Sequence, residues 1–102
     1  MKKPQTLTEI LSVLRSHKNA LSTKFGVLEL AVFGSYASNE QSRESDVDLL
    51  VNLKPEYKTF DNYMELKFFL EELLHKKIDL ALKDSIRKEL RAAILNEAVY
   101  AE

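Results

Sequence analysis

Two aspartates at the start of an otherwise apolar run constrain this chain more than any other feature. Asp46 and Asp48 lie in the segment 46–53, where every other residue except Asn52 is valine or leucine. Residues two apart in a strand point to the same face, so the two carboxylates would lie about 6–7 Å apart along the backbone. Because burying an unpaired carboxylate costs several kcal/mol, the run predicts a strand whose aspartates share a compensating cation.

A third aspartate lies in another short apolar run. Asp79 belongs to the segment 77–82, Lys-Ile-Asp-Leu-Ala-Leu, and if the two strands are neighbours its carboxylate can join the other two. Magnesium binds oxygen ligands and typically takes one or two carboxylates, while phosphate oxygens of a substrate complete its shell. We therefore expect Asp46, Asp48 and Asp79 to hold Mg²⁺, as two ions about 3.5–4 Å apart that assist an in-line displacement.

A glycine–serine turn directly follows the apolar segment 27–33. Gly34 would let the backbone come close to a phosphate, and the Ser35 hydroxyl with neighbouring amides would donate hydrogen bonds to its oxygens. For the next residue, Tyr36, two interpretations stay open: it lines a nucleotide pocket, or it packs on the sheet. A Gly-Ser pair taken alone usually marks an ordinary loop, so its position relative to the aspartates decides its meaning.

The remaining sequence predicts a single domain over residues 1–102. Helical periodicity and short apolar runs predict a helix from Leu7 to about Lys24, strands at 27–33, 46–53 and 77–82, a helix over 60–76 and a last helix near the C-terminus. Thr6 or Thr8 can cap the first helix, Gly26 suits its end, and Asp84 or Ser85 can cap the last. The order αβ(loop)βαβα predicts an α/β (α+β) fold, a small mixed sheet with helices packed on it.

Composition excludes several kinds of site and partner. The chain has no cysteine, so disulfides, zinc-thiolate sites and thiol nucleophiles are excluded. No apolar stretch approaches the roughly 20 residues that span a bilayer, and no signal-like run follows the N-terminus, which favours a cytoplasmic protein outside the membrane. With a net charge of −1, we expect no direct nucleic-acid binding, so a phosphate must be captured locally.

Gly34-Ser35, with Ser45-Asp46-Val47-Asp48 beginning eleven residues after the glycine, resembles the signature of the DNA polymerase β-like nucleotidyltransferase superfamily in its minimal, single-domain branch. The similarity covers nearly the whole chain, including a last helix that ends with the segment 94–100, Ile-Leu-Asn-Glu-Ala-Val-Tyr. The resemblance implies the polymerase β-like fold and nucleotidyl transfer. In that reaction an acceptor hydroxyl attacks the α-phosphate of a nucleoside triphosphate, and pyrophosphate leaves.

The resemblance also implies roles by position. Gly34 and Ser35 would bind the triphosphate, and the catalytic and metal-binding residues would be Asp46, Asp48 and Asp79; Tyr36 and Ser45, beside these motifs, are further candidates for nucleotide binding. Asp79 would contact the catalytic metal and help to deprotonate the acceptor. Members of this branch are often encoded with a small helical HEPN protein, and some are antitoxins that transfer AMP to a tyrosine of that toxin. The expected function is therefore Mg²⁺-dependent transfer of AMP from ATP to a hydroxyl of a partner protein.

One departure from the family pattern keeps alternatives open. Many relatives continue Gly-Ser-x-Ala with Arg-Gly, whereas this chain has Ser38 and Asn39. Arg43, further along the loop, is expected to replace the missing charge in nucleotide binding. Otherwise the chain is a binding module that neutralises its partner by contact alone, or a subunit of a small-molecule nucleotidyltransferase with acceptors such as aminoglycosides. A calcium EF-hand is excluded because its glycine and closing glutamate are absent.

Adjacent aromatic residues predict an interface. Phe68 and Phe69 cannot both be buried by one helix against the same sheet, and Tyr57, Phe60 and Tyr63 lie nearby in the sequence. We expect part of this surface to contact another chain, either a second copy or a different protein. The sequence leaves open the acceptor, the nucleotide base and the oligomeric state.

Overall fold

The computed structural model describes residues 4–42 and 45–101. Its elements along the chain are α1 (Leu7–Ser16), α2 (Lys18–Phe25), β1 (Val27–Phe33), α3 (Gly34–Ala37), β2 (Val47–Leu53), α4 (Phe60–Leu74), β3 (Ile78–Leu82), α5 (Lys88–Glu97) and β4 (Val99–Tyr100). The four strands form one sheet in the order β3-β2-β1-β4. Since β1 is antiparallel to β2 and β4 while β2 is parallel to β3, the sheet is mixed, as predicted.

The hydrophobic core lies on one face of this sheet. Alternate residues of β2 are almost fully buried in it, and α1, α2 and α4 contribute the facing leucines and isoleucine: Val47, Leu49, Val51, Leu53, Ile10, Leu14, Leu21, Leu66, Leu70 and Leu74. Because side chains alternate along a strand, Asp48, Leu50 and Asn52 point to the opposite face. None of the helices in the described ranges combines the length and apolarity that a membrane crossing requires.

Helix α5 crosses the face that carries the aspartates. It leads from the edge strand β3 to the opposite edge strand β4 and contacts α3 on the way. Its Leu90 and Ile94 line a cleft together with Ala81, which shares a face with Asp79 because the two residues are two apart in β3. The sheet is therefore covered by the core helices on one side and partly by α5 on the other.

Several boundaries differ from the sequence-based expectations. The predicted first helix is interrupted at His17, where φ is −109° and ψ is 15°, and the His17 ring nitrogen Nδ1 lies 3.0 Å from the Val13 carbonyl oxygen. The last helix begins only at Lys88, so the expected cap at Asp84 or Ser85 is wrong, and Asp84 instead pairs with Lys58. The expectation that the last helix continues to Tyr100 is also wrong, because the helix ends at Glu97 and Val99–Tyr100 pair with β1 as strand β4.

Two predicted caps are confirmed. The Thr6 hydroxyl accepts a hydrogen bond from the Glu9 amide at 3.2 Å and so caps α1. Gly26 ends α2 with φ of 68°, in the left-handed region that glycine enters without strain.

Candidate active site

The structure places two of the predicted catalytic aspartates side by side. Asp48 of β2 is the register partner of Asp79 of β3, and neighbouring strands lie about 4.8 Å apart. Both side chains point away from the core, because their chain neighbours on either side are buried in it: Val47, Leu49, Ile78 and Leu80. The expectation that the Asp79 strand lies next to the Asp46–Asp48 strand is therefore confirmed.

The environment of Asp48 disfavours its charge. Burial, the negative charges of Asp79 and Asp46 and a side-chain hydrogen bond to Asp79 together raise the pKa of this carboxyl from 3.8 to about 6, and burial contributes most. Neither of the two ion pairs formed among the described residues involves these aspartates. Within the described residues, these three carboxylates form no ion pair that would offset their negative charge.

Asp46 is less closely held than the other two aspartates. It is exposed and precedes the first residue of β2, so the strand pairing does not fix its backbone. Within residues 4–42 and 45–101, no three acidic or histidine side chains are arranged to hold a metal ion. The structure thus brings together a carboxylate pair with Asp46 close enough to act on it electrostatically, whereas three converging carboxylates were expected.

Gly34 faces the carboxylate of Asp48. Phe33, the residue before it, is the register partner of Asp48 across β1 and β2. Gly34 has φ of 70°, and a Cβ atom added there would overlap Asp48 Oδ2. The glycine is therefore required to leave room for a carboxylate, a constraint more specific than the close approach to phosphate expected from the sequence.

The two residues after Gly34 have different environments. Ser35 is partly exposed, and its carbonyl accepts hydrogen bonds from the Glu40 amide at 2.8 Å and the Ser38 hydroxyl at 3.2 Å. Tyr36 is 0% exposed and belongs to the core, and its hydroxyl has no partner among the described residues. This burial favours packing over a direct contact with nucleotide for Tyr36, whereas Ser35 stays accessible for the predicted phosphate contact.

The loop between α3 and β2 carries the remaining predicted nucleotide-binding residues. Ser45 Oγ accepts a hydrogen bond from the Ser42 amide at 2.8 Å, so it closes the end of the loop next to Asp46. Asn39 has φ of 60°, a conformation that asparagine tolerates better than most residues. Arg43 lies outside the described residues, and its nucleotide-binding role remains a prediction.

A comparison with protein families matches most of the chain to one known domain. The sequence profile described as "Nucleotidyltransferase domain" matches residues 14–101, which include the glycine–serine turn and all three aspartates. The chain belongs to this nucleotidyltransferase family. The fold class and the enzyme class expected from the sequence are therefore confirmed.

Relatives of this nucleotidyltransferase include a named protein adenylyltransferase. The protein adenylyltransferase MntA of Thermococcus cleftensis is 42% identical over 95 residues, which cover 93% of this chain and 95% of the relative. A solved candidate minimal nucleotidyltransferase is 33% identical, with a TM-score of 0.78 over 93% of this chain and 95% of that one. A chain from the complex of tri-AMPylated Shewanella oneidensis HEPN toxin with MNT antitoxin shares the fold at 17% identity, with a TM-score of 0.63 over 90% and 71%.

Sequence reasoning missed one cationic residue of the nucleotidyltransferase site, Lys77. Its carbonyl accepts a hydrogen bond from the Val47 amide at 3.0 Å, which extends the parallel pairing and places Lys77 beside Asp46. Its neighbours face the core side, since Ile78 is buried and the Lys76 ammonium lies 5.6 Å from the Tyr36 ring centre. Because Ile78 is buried in the core, alternation along the chain predicts that the Lys77 side chain lies on the aspartate face, and its position two residues before Asp79 was the available signal.

The donor set of this nucleotidyltransferase fits a divalent cation. Asp48 and Asp79 offer adjacent carboxylate oxygens, and a partly buried carboxyl with a raised pKa is stabilised in its charged form by a cation. Two carboxylates also match the number that magnesium commonly takes from a protein when phosphate oxygens complete its shell. The residues present therefore suit Mg²⁺ bound together with a triphosphate.

Proposed function

We propose that this chain is a cytoplasmic, Mg²⁺-dependent protein adenylyltransferase that moves AMP from ATP to a hydroxyl of a helical HEPN-type partner and so acts as an antitoxin. The observation that carries the proposal is the Asp48–Asp79 pair held against the Gly34 turn. The names of its relatives support the choice of AMP and of a protein acceptor.

In the proposed reaction, the acceptor oxygen forms a bond to the α-phosphorus, the bond between the α- and β-phosphates breaks, and pyrophosphate leaves. Asp48 and Asp79, with Asp46 beside them, would hold Mg²⁺, which when bound neutralises charge on the phosphates. The Ser35 hydroxyl and the adjacent amides would donate hydrogen bonds to the β- and γ-phosphates. Asp79, on the edge strand, would accept the proton of the acceptor hydroxyl as it attacks.

Lys77 would add a positive charge to the proposed phosphate-binding site. The described part of the α3–β2 loop, residues 38–42 and 45, contains no basic side chain. Lys77 lies beside Asp46 on the aspartate face, so its ammonium can reach a phosphate held there. A charge-assisted hydrogen bond from Lys77 would partly compensate for the arginine that many relatives carry where this chain has Ser38.

The test is label transfer from radioactive ATP in the presence of Mg²⁺ to the HEPN-type protein encoded next to this chain. We expect label on the partner with the wild-type protein and none with Asp46→Asn plus Asp48→Asn. The double variant should keep its fold, since neither carboxylate contributes to the core. Transfer that persists in the double variant would refute the aspartate mechanism.

A second candidate is neutralisation of the partner by contact alone, which the loop residues Ser38 and Asn39 favour because they offer no cation. In that case the double aspartate variant would still co-purify with the partner and still suppress its toxicity. A third candidate is a small-molecule nucleotidyltransferase completed at a subunit interface. Incubation with labelled ATP and aminoglycosides would then label the small molecule and leave the protein partner unlabelled.

A further inference from the structure

An apolar cleft of about 410 Å³ lies next to the carboxylate pair, between β3 and α5. Its apolar lining includes Ala81 and Leu82 on the strand and Leu90 and Ile94 on the helix, and it reaches around the edge of β3 to Leu80 and to Tyr63 of α4. Ala81 follows Asp79 by two residues and so shares its face. The cleft therefore adjoins the proposed reaction centre, since Ala81 of the cleft lies next to Asp79 on the same face of β3.

The cleft has the chemistry of a site for a flat, mostly apolar ring. Aliphatic side chains form most of its walls, Ser85 and Arg87 line the end beyond β3, and Tyr63 lines it from α4 with its hydroxyl donating to the Leu80 carbonyl. Ligand sites are generally built this way, with apolar walls and a few polar groups that fix orientation. Hydroxyl and guanidinium groups both donate hydrogen bonds, and the ring nitrogens of a purine accept them.

The dimensions also match a nucleotide. From Asp79 to Lys83, β3 and the residue after it span four steps, or about 13 Å at the usual rise per residue. A nucleoside monophosphate with its phosphate at Asp79 would extend its base along this length and bring the base edge to Ser85 and Arg87. An acceptor side chain such as tyrosine is shorter and would leave that polar end of the cleft unused.

Helix α5 lacks the packing that its apolar residues would obtain in a closed core. None of its residues is buried, and Leu90 is 52% exposed. We propose that the cleft between β3 and α5 binds the adenine base of the nucleotide, with Leu90 and Ile94 against one face of the ring. This inference rests on the proposed function and assigns the base-binding residues of that site.

The experiment compares Mg-ATP with Mg-tripolyphosphate, which lacks the base, by titration calorimetry. Leu90→Asn should weaken ATP binding about fivefold to tenfold, since about half of a leucine contact is lost, and should leave tripolyphosphate binding unchanged. Leu28→Asn is the matched control, because Leu28 is 54% exposed on β1 and lies outside the cleft. Ala81→Leu, which fills the cleft from the strand side, should also weaken ATP selectively.

Each outcome decides the inference. Equal weakening of ATP and tripolyphosphate, or unchanged ATP binding in both cleft variants, would overturn it while leaving the adenylyltransferase proposal standing. Unchanged ATP binding with lost transfer to the partner would assign the cleft to the acceptor side chain instead. If the wild-type protein bound neither ligand in the presence of Mg²⁺, the proposed function and the inference would both fall.

Discussion

At the residue scale, the site depends on the fit between one backbone position and one carboxylate. Gly34 adopts φ of 70° directly against Asp48 Oδ2, so the glycine and the aspartate constrain each other although they lie fourteen residues apart. The sequence predicted that both residues belong to the site. It could not predict their contact, because that contact depends on the pairing of Phe33 with Asp48 across two strands.

Gly34→Ala should therefore abolish AMP transfer, because it displaces the Asp48 carboxylate. The added Cβ would overlap the carboxylate, and a left-handed alanine costs about 1–2 kcal/mol in addition. Gly26→Ala is the matched control, since Gly26 has φ of 68° and its Cβ would overlap the Tyr57 ring, away from the aspartates. Thermal unfolding should show both variants destabilised, while Mg-ATP binding below the unfolding range should be lost only in Gly34→Ala. Equal ATP binding by the two would contradict this role.

The raised pKa of Asp48 predicts an unusual pH dependence of stability in metal-free protein. Between about pH 4 and pH 6 the folded state keeps a proton that the unfolded chain has released, so the free energy of unfolding falls as pH rises through this window. Asp48→Asn should remove this slope. At pH 7 the variant should be about 1–2 kcal/mol more stable, a value reduced because the carboxyl is partly hydrated.

Urea unfolding of wild type and Asp48→Asn between pH 4 and pH 7, in chelator, measures this difference directly. Carboxyls away from Asp48 titrate alike in both proteins and cancel, so the difference reports Asp48 together with its coupling to Asp79 and Asp46. If the difference in unfolding free energy stayed constant from pH 4 to pH 7, ionisation of Asp48 would not destabilise the folded state.

At the element scale, the parallel pairing of β2 and β3 determines which side chains meet. The sequence predicted the strands, and the period of two along a strand predicted that Asp46 and Asp48 share a face. It did not predict β4 or the break at His17, because both depend on contacts made after folding: β4 pairs with β1, and the His17 ring packs edge-on to Phe69. The register of the β2–β3 pair brings Lys77 next to Asp46, and the local secondary-structure propensity of the sequence does not reveal that register.

Lys76 and Lys77 are adjacent in sequence but are expected on opposite faces of the sheet, so substitutions of the two residues test this register. Lys77→Ala should lower kcat/KM for AMP transfer roughly tenfold, as expected for one lost charge-assisted hydrogen bond to phosphate. Lys76→Ala should leave transfer unchanged and lower stability by about 0.5–1 kcal/mol, because its ammonium packs over the Tyr36 ring. Steady-state kinetics and urea unfolding of both variants give the two readouts. Comparable kinetic losses in both would contradict the placement of Lys77.

At the scale of the whole molecule, the helices divide the sheet into a closed side and an open side. The core helices seal the face opposite the aspartates, and α5 covers the other face only partly. This division was predictable in outline from the amphipathic helices. The sequence could not show which part of the sheet α5 leaves uncovered. In a sequence, an apolar residue that will be exposed cannot be told from one that will be buried. Phe68 and Phe69 show this well, since Phe69 packs 5.2 Å from the Phe25 ring centre while Phe68 is 56% exposed.

The exposed Phe68 is the residue through which we expect α4 to contact the partner protein. Phe68→Glu should weaken the complex at least tenfold, because a charge placed in an apolar interface loses its hydration, and it should leave monomer stability almost unchanged. Phe60→Glu serves as the control, since Phe60 is 76% exposed at the first turn of the same helix. Co-purification and analytical sedimentation with the HEPN-type partner would measure both. If Phe60→Glu weakened the complex and Phe68→Glu did not, the contact would lie at the start of α4, next to the 3-10 turn at Pro55–Tyr57.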